Sequence, residues 1–435
     1  MNASSNQGRA DGLAGIGGDP ALAAGRGALV GGVSRRTKDA VRALWYSNAP
    51  WAGTGYGQQT QQAVQRLIKD GHEVAIHANY GLEGSTSNWN GIKIYPRGMN
   101  PYSDDIVVAH WMEWTQATNL PKLLMTLFDV WVLKAPNLDK VPNIASWVPI
   151  DHAPCPPEVL KWLVRPNVMP IAMSKFGKSE LDKAGVRSLY VPHAIDAMYH
   201  PTKTIRDNAN QTLSGRKIMG FNDDQFVVMM TAANKGVMPC RKSFGENLLA
   251  FSIFAAKHPD AVLYMHTEAS ASMGGIDLNN LAKSVGIPED RIKFVDPYLY
   301  RLGLPVHAMA ALYSDADVLL AASMGEGFGI PVIEAQACGT RVIVSNFTAQ
   351  PELVGDGFIV EGQPFWDPLQ NAFFFMPHVG SIVAALEDAY NAPRGTSQKA
   401  LDFAKDYEAD AVYESHWKPA MKELAAWCRS SSSQS

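Results

Sequence analysis

Gly325-Glu326-Gly327-Phe328-Gly329-Ile330-Pro331-Val332-Ile333-Glu334-Ala335 comes after the apolar run Asp317–Ala321 and runs on through Gln336-Ala337-Cys338-Gly339. The run before it has the length of a buried strand, and the residues from Ile330 to Cys338 have the composition of a helix. Three glycines flank Glu326, so the loop between them exposes backbone N–H groups, and the helix N-terminus adds a positive end. Glu334 comes eight residues after Glu326. One carboxylate is therefore expected in the loop and the other in the first turn of the helix, both facing one ligand.

The same strand–loop–helix unit repeats outward in both directions. A first series of strand-like runs covers Val41–Tyr46, Glu73–Ala78, Asp105–Ala109, Ile144–Ile150, Val168–Met173 and Ser188–Val191. A second covers Phe226–Ala232, Ala261–Met265, Arg291–Val295, Asp317–Ala321, Arg341–Ser345 and Gly357–Val360. Helical patterns lie between many of them; Thr60, Ala63, Val64, Leu67 and Ile68 share one face, closed by Gly71. Alternating β and α predicts an α/β fold with two Rossmann-like, doubly wound parallel-sheet domains. The expected divisions are a loose leader at 1–37, one domain at 38–200, a polar linker at 201–222, and a second domain at 223–397. Closing helices at 398–429 are expected to pack back on the first domain, before a loose tail at 430–435.

Composition agrees with this and removes other classes. Of 435 residues, 46% are apolar and 18% charged, which suits two or three domains with real cores. Neither Gly nor Pro shows a period, which excludes collagenous chains. A net charge of −4 gives no support to a role on nucleic-acid phosphates. Cys155, Cys240, Cys338 and Cys428 stand far apart without a CxxC pair, against both a zinc site and a disulfide scaffold. No apolar run nears the roughly 18–20 residues of a membrane span. A soluble, cytoplasmic protein is expected.

Ligands of open parallel sheets bind beyond the carboxyl ends of the strands. In the first series those ends carry Ser47-Asn48, Asn79, His110, Asp151-His152, Ser174-Lys175 and His193, a set suited to a hydroxyl-rich ligand. Gly53-Thr54-Gly55-Tyr56-Gly57 after the first strand suits phosphate at a helix N-terminus. A dinucleotide oxidoreductase would want an acidic residue at the end of the second strand, where Asn79 stands.

GEGFGIPVIEAQACGT, with Glu326 and Glu334 separated by seven residues, resembles the signature of retaining GT-B glycosyltransferases of family 4. SNAPWAGTGYGQQTQQAVQRLIKDGHEV resembles that family's glycine loop and first helix. SWVPIDHAP, PIAMSKFGKSELDKAGV and VPHAID resemble the rest of its acceptor-side domain, and TAANKGVMPCRKSFGENLLAFSIFAAKHPDAVLYMHT the start of its donor-side domain. The likeness runs from about residue 41 to residue 395.

The resemblance implies a GT-B enzyme transferring a sugar from a nucleotide sugar to an acceptor hydroxyl, with retention and without metal or other cofactor. It implies that Glu326 holds sugar hydroxyls, helped by backbone N–H groups of Gly327, Phe328, Gly329 and Ile330, and that Glu334 holds the nucleotide ribose. Lys242 with Arg241, and Gly55 from the other domain, would meet the diphosphate. His152, beside Asp151, would lie near the sugar. From the strand-end reading, Asn48, His110 and Asp151, with Trp111 beside His110, are expected on the acceptor side. Asn234 stands where the family carries an arginine, with Lys235 or Arg241 as replacement; Ser243 stands for a glycine and Arg341 for a proline. Asp315-Ala316-Asp317 imitates a metal-binding DxD but precedes a buried strand, so no metal is expected there. The acceptor is left open among a carbohydrate, a lipid-linked sugar, a protein and a modified nucleobase, with acceptor-side loops expected around residues 81–100 and 111–140. The alternatives are a catalytically silent nucleotide-sugar-binding scaffold and a sugar-nucleotide epimerase.

Overall fold

The computed structural model describes residues 37–207 and 210–432. The expected leader, but for its last residue, and the last three residues of the expected tail lie outside the described residues. Two compact units divide the described chain: one takes the described residues up to Ile195, Pro368–Ala372 and the described residues from Tyr407, the other those of Asp196–Asp367 and Phe373–Asp406.

The first unit is built on eight strands: β1 (Arg42–Ser47), β2 (Glu73–Ala78), β3 (Ser87–Trp89), β4 (Ile92–Tyr95), β5 (Lys122–Leu127), β6 (Ile144–Val148), β7 (Val168–Ala172) and β8 (Leu189–Tyr190). Their spatial order is β3-β4-β2-β1-β5-β6-β7-β8. All neighbours are parallel except β3 and β4. The inner strands are buried along almost their whole length, so they read as continuous apolar runs rather than as alternating ones. Helix α1 (Gly55–Lys69) starts at the Thr54 cap, whose hydroxyl accepts from the Gly57 N–H.

One expected strand is a helix. Residues 105–109 belong to the approach and first turn of α2 (Val107–Thr115), which buries Val107, Val108, Trp111 and Thr115 at helical spacing. The strand that pairs with β1 is Lys122–Leu127, a stretch expected within an acceptor-side loop. Four or five apolar residues fit either state, and only the sheet position decides between them. Two further helices, α3 (Pro157–Leu163) and α4 (Lys175–Lys183), complete this part of the unit.

The second unit holds a small ribbon, β9 (Ile205–Arg206) with β10 (Thr212–Leu213), and helix Gly215–Met219, so the expected linker is structured and belongs to this unit. Its main sheet comprises β11 (Phe226–Thr231), β12 (Ala261–His266), β13 (Ile292–Phe294), β14 (Val318–Ala321), β15 (Arg341–Ser345) and β16 (Gly357–Val360). They lie in the order β13-β12-β11-β14-β15-β16, all parallel. The helices that matter for the site are α5 (Phe244–Ala255), α6 (Leu278–Ser284), α7 (Val306–Asp315), α8 (Ile330–Ala337) and α9 (Val379–Asn391). Phe226, Phe244, Phe251, Phe254, Leu263 and Leu386 fill the core between sheet and helices. An unanticipated ribbon, β17 (Gly362–Asp367) with β18 (Ala372–Pro377), comes after the last sheet strand.

The chain changes unit at Tyr407, later than the expected change at residue 398; helix Gln398–Ala404 stays with the second unit. Beyond it, Ala409–Val412 and a π-helical turn at Tyr413–Trp417 lead into α10 (Lys418–Ser432), which also takes in the first residues of the expected loose tail. Trp417 is 2% exposed and packs against Trp45 and Trp147, with ring centroids 5.7 and 4.8 Å away. Gln59 of α1 clamps the backbone of Ala194 from both sides, donating to its carbonyl at 2.6 Å and accepting from its N–H at 2.8 Å.

Trp417→Ala removes a buried ring that two other indoles pack against. Cavity costs for Trp or Phe to Ala predict a loss of about 3–5 kcal/mol. Chemical denaturation followed by tryptophan fluorescence should show the corresponding fall in midpoint, and a fall below about 1 kcal/mol would refute the packing role.

Candidate active site

In the second unit β11 is flanked by β12 and β14, so the strand order turns around at the β11–β14 boundary, the usual place for a ligand in an open parallel sheet. The loop after β11 carries Arg241 and Lys242; the loop after β14 carries Glu326. Adjacent strands make adjacent loops, and the structure ties them together. The Met324 N–H donates to the Arg241 carbonyl at 2.8 Å. The Asn247 amide of α5 donates to the carbonyls of Lys242, Ser243 and Ala322. On the far side the Phe375 N–H of β18 donates to the Met324 carbonyl at 2.9 Å.

Glu326 is held by both cations. Arg241 donates to Oε2 at 2.7 Å and Lys242 to Oε1 at 2.5 Å, while Arg241 also donates to the Gly325 carbonyl at 2.6 Å. The Glu326 N–H donates to Thr348 Oγ1 at 2.9 Å. Burial pushes the Glu326 carboxyl up, but the neighbouring Arg241 and Lys242 charges outweigh it and hold the carboxyl at about 2. Glu326 is thus an anion near neutral pH, seated between the two cations expected to meet a diphosphate. Gly329, at φ 121, turns the chain into α8, where Ile330 takes the first position. Phe328 is buried and anchors that turn.

Glu334 differs from the expectation. It is the fifth residue of α8, beyond the first turn, and its carboxylate accepts from the Tyr313 hydroxyl at 2.9 Å. Asn234 is not a stand-in for a phosphate-binding arginine. Its amide donates to the carbonyls of Glu268, Ser270 and Ile276 and accepts from the Ile276 N–H, which fastens the loop after β12. Of the two candidate replacements, Arg241 is the one joined to Glu326, while Lys235 is exposed. Asp315 accepts from the Arg216 N–H, and Asp317 pairs with Arg216 and Arg394, so the DxD-like pair anchors backbone and strand ends.

In the first unit, Gly55 opens α1 and Asn48 donates to Thr54 Oγ1 at 2.9 Å, bracing the glycine loop. A side chain at Gly57 would meet the Ala52 carbonyl oxygen at 2.3 Å, so only glycine fits. Asp151 Oδ1 accepts from His152 Nδ1 at 2.7 Å, which fixes the imidazole after β6. His110 lies on α2, not after a strand, with its Nδ1 2.8 Å from His77 Nδ1 and its ring stacked on Tyr95. Trp111 is a core residue, 7% exposed and packed among Leu44, Leu124 and Val148, so it does not serve the acceptor side. His77, Thr348, Tyr199 and Tyr313 escape sequence reasoning. Of these, only His77 carries a signal, as an ionisable group near a strand end.

Ser243 caps α5 in the left-handed region, at φ 48 and ψ 41, with its buried hydroxyl lacking a partner among the described residues. Ser243→Gly should therefore raise stability by about 1 kcal/mol, visible as a higher thermal midpoint. A lower midpoint would contradict the strain. Burial drives the His77 and His193 imidazoles down to about 3 and His266 to about 4. Unfolded imidazoles titrate near 6.5, so between about pH 6.5 and 4 the unfolded chain takes up protons that the folded chain refuses. Stability is complete above that window and falls as pH drops through it, by about 1.4 kcal/mol per pH unit for each such histidine. Urea midpoints measured from pH 7 to 4.5 should decline; a flat profile would exclude neutral buried imidazoles.

Comparisons with known proteins agree with this geometry. The family model for glycosyl transferases group 1 matches residues 300–401, which include Tyr313, Glu326 and Glu334. The chain is 42% identical over 57 residues to O-antigen chain mannosyltransferase B of Escherichia coli, covering 13% of this chain and 15% of that protein. It is 33% identical over 147 residues to D-inositol 3-phosphate glycosyltransferase of Streptosporangium roseum, covering 33% and 32%. These matches span less than half the length of either relative. Among solved structures, a glycosyltransferase from Rickettsia africae superposes with TM-score 0.59 at 14% identity, over 89% of this chain and 99% of that one. Sucrose-phosphate synthase from Thermosynechococcus elongatus gives TM-score 0.59 at 16% identity, over 91% and 100%. Residues 300–401 are thus similar to the glycosyl transferases group 1 family, and the chain has the GT-B fold of two Rossmann-like units.

Proposed function

We propose that the chain is a retaining glycosyltransferase of family 4 type, moving a sugar from a nucleoside diphosphate sugar to an acceptor hydroxyl. The observation that carries this reading is the Glu326 carboxylate held between Arg241 and Lys242 at the turn-around of the second sheet. The acceptor oxygen bonds to the anomeric carbon as the bond from that carbon to the phosphate oxygen breaks. The electron pair leaves with the nucleoside diphosphate, and the acceptor proton passes to the departing phosphate oxygen on the same face. Arg241 and Lys242 stabilise the charge that builds on the diphosphate, which is their catalytic contribution. Glu326 then accepts from sugar hydroxyls, Glu334 from the ribose, and backbone N–H groups at Gly327–Ile330 complete the anion-facing loop. His152, oriented by Asp151, is assigned to substrate contact in the first unit.

Glu326 and a diphosphate are anions that compete for the same two cations. A diphosphate that draws Arg241 and Lys242 to itself leaves the carboxylate to the sugar. This exchange gives the proposal an unusual signature. Glu326→Gln removes the competing charge, so it should tighten binding of the bare nucleoside diphosphate by about 3–10-fold while lowering sugar transfer about 100-fold or more. Lys242→Ala should weaken both.

A thermal-shift panel of UDP, GDP and ADP identifies the donor class by a selective rise. Nucleoside diphosphate release with and without candidate acceptors, repeated with a chelator, then measures transfer and tests metal independence. No shift with any diphosphate would sink the reading. Isomerised donor in the absence of acceptor would instead favour an epimerase.

A further inference from the structure

The two glutamates of the loop–helix segment are held by different groups. Glu326 is paired with two cations; Glu334 takes a hydrogen bond from a buried phenol. Tyr313, fully buried near the end of α7, donates to Glu334 Oε2 at 2.9 Å. Tyr199, 7% exposed and just inside the second unit, lies close enough to the same carboxylate for its charge to act on the phenol. The two rings lie 6.1 Å apart, tilted by 58°. Burial, reinforced by the Glu334 charge, pushes both phenols well above their ordinary range, so each keeps its O–H and has a proton to donate toward the carboxylate.

The helix beneath is equally well fixed. The Gln336 amide donates to the Val332 and Leu353 carbonyls, while its oxygen accepts from the Gly355 N–H at 2.7 Å. Thr340 Oγ1 donates to the Tyr313 carbonyl, which fixes the phenol's own backbone. A phenol orients a carboxylate without itself cancelling the charge, and a carboxylate so directed is an acceptor of the kind a vicinal diol requires.

We propose that Tyr313 and Tyr199 are positioning residues that aim Glu334 at the ribose diol, and so set the preference for ribo- over deoxyribonucleotide donors. The proposal rests on the assignment of Glu334 to the ribose. Neither tyrosine touches substrate in this scheme; each acts through the carboxylate.

The test is equilibrium binding of UDP, GDP and ADP against their 2′-deoxy counterparts, in wild type, Tyr313→Phe, Tyr199→Phe, the double variant and Glu334→Gln. Phenylalanine keeps the ring packing and removes only the hydroxyl. Each single change should reduce the ribo-to-deoxy affinity ratio by about 3–10-fold, and the double change more, while affinity for the deoxy form stays within about twofold. A ratio unchanged in both tyrosine variants, with Glu334→Gln abolishing it, overturns the positioning role and leaves the ribose assignment standing. A ratio untouched by Glu334→Gln overturns the assignment and the proposal together, as does absence of binding by all six nucleotides to wild type. Equal losses for ribo and deoxy forms mean a merely structural role and also refute the proposal.

Discussion

The ion triad of Glu326, Arg241 and Lys242 is the constraint on which the second unit's site depends. A carboxylate this deeply placed is tolerated only when its charge is met at short range. Here the meeting groups come from two loops at neighbouring strand ends, so the electrostatic requirement also fixes the loops to each other. Asn247 beneath them and the Phe375 N–H beside them hold the backbone that the triad needs. A diphosphate offers Arg241 and Lys242 the same kind of partner that Glu326 does. The triad is therefore an anion-holding arrangement assembled from two loops.

Glu334 shows that the same residue type, a few positions on, is managed by other means. A buried phenol from the end of the preceding helix donates to it, with a second phenol ring from the entry to the unit packed beside the first. Alignment of a carboxylate by a neutral donor and neutralisation of one by cations are different uses of burial. The strain at Ser243 belongs to the same region: the turn that delivers Lys242 into α5 has a shape suited to glycine, and the chain accepts its cost.

Much of this is readable from the chain. The second series of strands, the Glu326 loop and Lys242 carry local signals, namely buried apolar runs, glycines around an acid, and cations ahead of a helix. The failures have physical reasons. Residues 105–109 and 122–127 are both short and apolar, and which of them lies beside β1 is decided by sheet pairing, which no local pattern records. Trp111 beside His110 suggests a stacking platform, yet helical phase turns its indole into the core. Asn234 stands at a phosphate-binding position by resemblance, but its amide is consumed by a loop some forty residues later in the chain. The tyrosines of Glu334 are likewise tertiary partners, 21 residues distant in the case of Tyr313.

Trp417 also bears on the order in which the chain can fold. The first unit begins at the start of the described chain, yet the indole that packs between Trp45 and Trp147 is supplied from beyond Tyr407. During synthesis on the ribosome the second unit has all its strands in hand before the first can close its aromatic core. The unit made first is the unit finished last, and a truncated chain released early would leave two indoles uncovered, which is the state that chaperones and proteases recognise.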